Sequence, residues 1–364
     1  MFLTASPATA QWRLGPPDLT VGQDSLGFFG TVNGVLVRDD RIYVADSRLR
    51  RIVAFDTTGQ LTATAGRRGD GPGEFRFLSW IDDCGEDTIY ASDSGHDRVS
   101  LFTRNLEHIR TFRVTGADLR LTAIQCAGAG TLVGITRNND PALSLGHAIP
   151  MDAPWRATHD IALFEPDGSL RQVLGTVLGQ ERYREANPSG AAYSDYARTW
   201  GLDVVFASSP QGFVVGTGER SSLVRFDMDG NVLDTLALGE DRIAISRAHI
   251  DAHIQNRVER TERLGRDTRR TRSFWTEYPY PSHFPAYSKA LMTASGLVWV
   301  ERFPEPYTEQ PRHWRVFTPD GVFADSVEVP SRFQVMWVGE THVAGVVTDV
   351  LGVQTVEVRP ILRD

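Results

Sequence analysis

The chain has 364 residues, with 38 basic side chains against 46 acidic ones and a formal net charge of −8. An acidic protein gives no electrostatic reason to bind nucleic acid or an anionic membrane over its whole surface, and no run of about 18 apolar residues is present to span a bilayer as a helix. The 33 glycines and 19 prolines are a turn-rich share without the periodic glycine of collagen or the low hydrophobicity of a disordered chain, and closed all-β folds run past 200 residues as one unit, so a single folded, loop-rich domain is expected.

The chain opens on Met1 to Gln11, which ends in Ala8-Thr9-Ala10. That triplet fits the small-residue pattern of signal-peptide cleavage, although the charged n-region and most of the apolar h-region are missing. Either this is the tail of an export signal that begins upstream, or it is a frayed terminus. The first reading is favoured: 1–10 is then a signal-peptide remnant, 11–364 the folded domain, and the location periplasmic or extracellular.

From residue 30 onward the sequence repeats, and the repeat is read from its turns. One unit is Arg51-Ile52-Val53-Ala54-Phe55-Asp56-Thr57-Thr58-Gly59-Gln60-Leu61; its relatives run from Asp160 to Leu170, Leu223 to Val232 and Trp314 to Phe323. Each predicts strand, tight turn, strand, with Gly where a hairpin needs positive φ and β-branched or aromatic residues on either side. A fifth copy, Arg98 to Asn105, keeps the strands without the Gly. Upstream of each hairpin lies another short apolar run, such as Ile42-Tyr43-Val44-Ala45-Asp46 and Ile89-Tyr90-Ala91-Ser92-Asp93, and before it a third. Four short strands per unit are the makeup of a propeller blade, whose inner strands are packed on both faces and read as apolar runs. The tail, Phe333 through Ile361, supplies only three strands. Residues 11–22, with Trp12, Leu14, Leu19 and Val21, are expected to add the fourth and close the ring.

The stretch Gly66-Arg67-Arg68-Gly69-Asp70-Gly71-Pro72-Gly73-Glu74-Phe75, followed by Ile89 to Asp93 and Arg98-Val99, resembles the repeat of NHL-type six-bladed propellers of secreted bacterial proteins. The resemblance is close over the first two units and loose afterwards. It implies a ring around a central channel; five complete units plus the closed tail make an all-β, six-bladed β-propeller, and the residues at about 240–284 read as a helical insertion between blades four and five. It also implies a habit of binding peptides, proteins, sugars or small ligands, and no single activity.

The connections carry the functional expectation, because recognition collects on loops while the scaffold stays put. With strands A to D counted from the channel outward, the A–B and C–D links are short. The long segments are 136–159 and 302–313 between B and C, and 66–75, 174–200 and 238–284 between D and the next A. Alternating strand direction sends both kinds to one face. Arg67, Arg68, Arg137, Tyr183, Tyr196, Trp200, Arg220, Trp275, Tyr278, Tyr280 and Tyr307 are the candidate binding residues there, since aromatics and Arg are the usual anchors of interfaces; packing of the loops onto the ring is the competing reading of each aromatic. Ser246 to Arg272 is expected to be one helix, with Ile250, Ile254 and Val258 as its apolar stripe. Residues 247–272 carry eight Arg against four carboxylates, net +4 in an acidic chain, which is either a site for an acidic partner or a solvated helix face. The aromatic and Pro-rich stretch from Phe274 to Tyr287 is expected to lie over or beside the channel mouth.

Catalytic signals are sparse. Asp46 and Arg51, like Asp93 and Arg98, stand five apart at the same place in successive units, which points to structural ion pairs or loop ties. His249 and His253 at i, i+4 have the spacing of a shared metal, but no sequence-local third ligand, so no metal is assigned. A channel Ca²⁺, as in gluconolactonase-type and paraoxonase-like propellers, would draw on innermost-strand groups such as Asn33 and Asp203; a metal-dependent lactonase or hydrolase is therefore the alternative function. Cys84 and Cys126, each just before a second strand in adjacent units, could be bridged in an exported protein, or their Cα atoms could stand beyond the roughly 7 Å limit. The leading expectation is an exported, cofactor-free scaffold binding a protein, peptide or glycan on its elaborated face.

Overall fold

A computed structural model describes residues 12–22, 29–85, 87–116, 120–137, 149–186 and 193–363. Most of it is antiparallel meander. β3 (Val32–Arg38), β4 (Arg41–Asp46), β5 (Arg51–Asp56) and β6 (Leu61–Ala65) form one sheet; β7 (Leu78–Asp83), β8 (Thr88–Asp93), β9 (Arg98–Thr103) and β10 (His108–Arg113) the next. β11 (Arg120–Cys126), β12 (Leu132–Arg137), β13 (Ala153–Phe164), β14 (Leu170–Ala186) and β15 (Tyr193–Ala197) follow, and then β16 (Val205–Ser209), β17 (Gly212–Gly216), β18 (Ser222–Phe226) and β19 (Val232–Ala237). A nine-stranded sheet joins two further meanders, β20 (Tyr287–Met292), β21 (Val298–Arg302), β22 (Arg312–Phe317), β23 (Phe323–Val329) and β24 (Phe333–Val338), β25 (His342–Thr348), β26 (Gln354–Leu362). The link is β1 (Arg13–Leu14), parallel to β23 and antiparallel to β26; β2 (Leu19–Val21) also pairs with β26.

The first strands share one axis. β3 packs on β7, β7 on β11, β11 on β16, β16 on β20, β20 on β24, and β24 back on β3. Burial follows from that position: Ile42 to Asp46 and Ile52 to Phe55 are buried without alternation, whereas outlying β6 alternates. Strands covered on both faces must be apolar throughout, and an outer strand only on one side. Three of the tight turns share one device: Asp56 Oδ1 accepts from the amides of Thr58 and Gln60 at 2.9 Å, Asp227 from Asp229 and Asn231, Asp349 from Leu351 and Val353. Each Asp thereby pre-forms the turn that the following Gly completes.

Two expectations about local structure are corrected. Ser246 to Arg272 is a pair of helices, α1 (Arg247–Arg263) and α2 (Thr268–Glu277). The break falls at Gly265, whose φ of +67° stops α1, and Asp267 then caps α2 through the amide of Arg269. The segment 174–200 is largely strand: β13 and β14 run on together to the pairs Ala153↔Arg184 and Pro154↔Tyr183, and β15 adds itself to the far half of β14.

Candidate functional site

A cavity of about 1130 Å³ lies on the shared axis and draws its lining from β3, β7, β11, β16, β20 and β24. Because these are innermost strands, each has an edge without a strand partner, and polar side chains bridge from one first strand to the next. Asp82 Oδ2 accepts from the Cys126 amide at 3.4 Å; Gln125 Oε1 accepts from the Ser208 amide at 3.0 Å; Lys289 Nζ donates to the Val335 carbonyl at 2.9 Å and lies 3.6 Å from Met336 Sδ. Burial shifts two of these groups. It pushes the Asp82 carboxyl up to about 7 against the lowering effect of the Asp83 and Cys126 amides, and it lowers the Lys289 ammonium against the raising field of Glu301. Cys84 and Cys126 meet at one end of β7 and β11 as a disulfide with Cα atoms 5.4 Å apart.

The recurrent Asp residues are loop ties. Asp93 accepts from the amides of Arg76, Phe77 and Gly95 and from His96 Nδ1 at 2.7–3.0 Å, and Arg98 stands 3.4 Å away. Asp46 takes the amides of Gly30, Thr31 and Leu49. The expected ion pair of Asp46 with Arg51 is absent among the described residues, although the two residues are opposite each other in register. Neither pair lies on the channel.

Most of the candidate aromatics pack a helical hairpin. Tyr183, Trp275 and Tyr278 are buried with Ile254 and Val258, while Tyr196, Phe274 and Tyr280 close the cluster from outside. Tyr183 and Tyr278 meet edge to face at 5.4 Å, Trp200 lies 5.3 Å from Tyr280, and Arg257 sits 4.5 Å over Trp275. These aromatics thus have a packing role: two helices lying outside the meanders have no other core, so their aromatics and those of β14 and β15 supply one. The segments 174–200, 238–284 and 302–313 therefore meet. His249 Nε2 reaches Glu305 at 2.8 Å and His253 Nδ1 reaches the Tyr307 hydroxyl at 2.5 Å, so the two histidines tie α1 to the β21–β22 connection and do not converge on one point. Burial lowers His253 to about 4, so it is neutral at pH 7. Tyr307 is half exposed. Among the described residues, none from 238–284 lines the channel.

The charged candidates remain outside. Arg67, Arg68, Arg137 and Arg220 are exposed, Arg67 with Glu74 as its partner at 2.5 Å. The hairpin surface is more basic than any of these: Arg260, Arg263, Arg266, Arg270 and Arg272 are exposed and without an ion pair among the described residues, whereas Arg247 and Arg269 are paired to Asp251 and Asp267. For a cation site, Asn33 lines the channel, but Asp203 does not and is occupied by Gln180 Nε2 at 2.9 Å; among the described residues no three His, Cys, Asp or Glu side chains are arranged to hold a metal ion. The anticipated channel ligands are thus not assembled. Asp82 and Lys289 were missed as candidates. The available signal was composition: Lys289 is the chain's one lysine.

A family model described as a 6-bladed beta-propeller, DUF5128, matches residues 24–115, about a quarter of the chain. The chain has a β-propeller fold. No curated protein matches it. A candidate exported protein from Bacteroides fragilis is similar over 99% of this chain and 98% of its own, at 10% identity and a TM-score of 0.55. A member of the DUF4221 family from Bacteroides vulgatus is similar over 98% and 100%, at 10% identity and 0.52. A gluconolactonase from Xanthomonas campestris aligns over 88% and 82% at 11% identity with a TM-score of 0.43, too low to carry an argument about reaction. At such identities the likeness concerns the fold alone.

Proposed function

We propose that this chain is an exported six-bladed propeller of NHL type that binds an anionic protein, peptide or glycan through the surface of its helical hairpin. The observation that carries the reading is the cluster of five unpaired, exposed arginines on α1, α2 and their link, in a chain whose net charge is −8. Arginine forks match carboxylate, sulfate and phosphate bidentately, and a basic patch on an acidic body steers an anionic ligand to one place. The six-fold count is supported by the closed succession of first strands and by the family match; export is supported by Ala8-Thr9-Ala10, by the disulfide and by likeness to a candidate exported protein. The alternative, a metal-dependent lactonase or hydrolase in the channel, has less support because among the described residues Asn33 and Asp203 do not converge.

The test uses heparin as the polyanion. The intact protein should bind it with an affinity that falls steeply with salt, and Arg260→Ser, Arg263→Ser, Arg270→Ser and Arg272→Ser combined should weaken it at least tenfold. Asp167→Lys and Asp229→Lys, in turns between third and fourth strands, should leave the hairpin's contribution intact. Undiminished binding by the four-fold variant would overturn the proposal.

A further inference from the structure

A chain that carries 38 basic side chains uses lysine once, and it uses it inside the central channel. At every other basic position the charge is a guanidinium. If position 289 needed only a cation, or only a donor for the Val335 carbonyl, arginine would be the chain's habitual choice. What lysine adds is an amine that can give up its proton and then use its lone pair, a chemistry closed to arginine.

The surroundings of Nζ favour that use. Lys289 follows the residue at which β20 bulges out of register with β21, so its stem leaves the strand toward β24 and the axis. The carboxylate opposite it in register, Glu301, is already engaged, by Arg312 at 2.8 Å and Ser288 Oγ at 2.6 Å, and forms no ion pair with Nζ. From β24 the Val335 carbonyl and the Met336 thioether face the amine. Glu301 favours the ammonium, while Arg312 and burial disfavour it, and burial is the larger effect. The adjoining cavity, at about 1130 Å³, has room for a ligand of more than twenty non-hydrogen atoms, since drug-sized ligands occupy roughly 300–1,000 Å³.

We propose that Lys289 is a covalent anchor for an aldehyde- or ketone-bearing small molecule in the central channel. Its neutral amine adds to the carbonyl carbon, forming the C–N bond; the carbonyl oxygen, with two protons taken in all from the nitrogen, leaves as water, and the product is an imine. No electrons are exchanged with an outside reagent. The site is independent of the arginine hairpin and does not rest on the reading of that surface.

The experiment treats the native, full-length protein with propionaldehyde and sodium cyanoborohydride across a pH series. The reductant is only a trap for the imine, and peptide mapping separates Lys289 from the terminal amine. Because the chain has one lysine, each adduct has an unambiguous address. We expect Lys289 in the native protein to be labelled with an inflection below the ordinary lysine value of 10.5, and faster at pH 7.5 than the same residue in urea-unfolded protein. Labelling seen only after unfolding would overturn the proposal, as would native labelling no faster than in urea. The comparison needs no variant, so it stands even if Lys289→Met fails to fold.

Discussion

Asp82 shows how one channel residue sets a pH dependence. Its carboxyl sits near 7 in the folded protein and near 3.8 when free. The native state therefore keeps a proton that the unfolded chain releases between about pH 4 and 7, and the stability associated with that proton is fully present at low pH and lost as pH rises through the window. At about 1.4 kcal/mol per unit of pKa, the loss from pH 5 to pH 8 is at most about 3 kcal/mol, less whatever channel water recovers. Asn at this position keeps the acceptor for the Cys126 amide and removes the titration. Urea unfolding at pH 5 and pH 8 should show Asp82→Asn losing less stability across the interval than the parent; parallel losses would mean that Asp82 is ordinarily solvated. Neither this residue nor Lys289 was legible from pattern. On β7, Asp82 reads as one of two acids before a turn, and only the neighbouring first strand, distant in sequence, makes it buried.

At the level of elements, the helical hairpin is where sequence and structure diverge most. The stripe Ile250, Ile254 and Val258 was legible as a face that must dock, and two of its three members are buried. What it docks on was not legible, because an aromatic that anchors a partner and one that receives the chain's own helix have the same composition. Gly175 and Gly179, with the charged run Gln180 to Arg184, likewise resemble loop, yet Gly179 is there because a Cβ would lie 2.4 Å from His159 Nε2 in the paired hairpin. The docking has a measurable strength. Trp275→Ala removes the ring that touches Phe274, Tyr278, His253 and Arg257, and truncating a buried Trp typically costs about 3–5 kcal/mol. Since α1 and α2 lie outside the meanders, the cost should appear as local opening. Hydrogen exchange should speed up about a hundredfold or more across 247–277 while β3 to β6 keep their protection. Unchanged exchange in the helices would show that the cluster does not hold them.

For the whole molecule, the repeat was legible because its tight turns are local in sequence: an Asp captures two amides ahead of Gly59 and Gly230, and Asp167 and Thr318 hold the turns at Gly168 and Gly321 through Ser169 and Val322. Closure is not local: it joins residues 13–21 to 354–362, and it was inferred only from a shortage of one strand in the last unit. In the structure β2 pairs Leu19, Thr20 and Val21 with Val358, Glu357 and Val356, and β1 bridges β26 to β23. Val21 is buried beside Phe29 and Val356, and Trp12 lies 6.1 Å from Trp299 with Arg363 4.1 Å over its own ring. Removing residues 1–22 would expose the edge of β26 and uncover these side chains. Burying a single large apolar side chain is worth about 1.5–3 kcal/mol, and Trp12, Leu14, Leu19 and Val21 are buried in part or in full, so the loss should be at least about 3 kcal/mol. The freed edge is also a template for another chain, so the truncated protein should self-associate as concentration rises. Urea unfolding with sedimentation velocity reads both effects, and a protein lacking only residues 1–10 serves as control. If the 22-residue deletion unfolds at the same urea concentration as that control and stays as dispersed, the ring is closed by something other than its N-terminal strands.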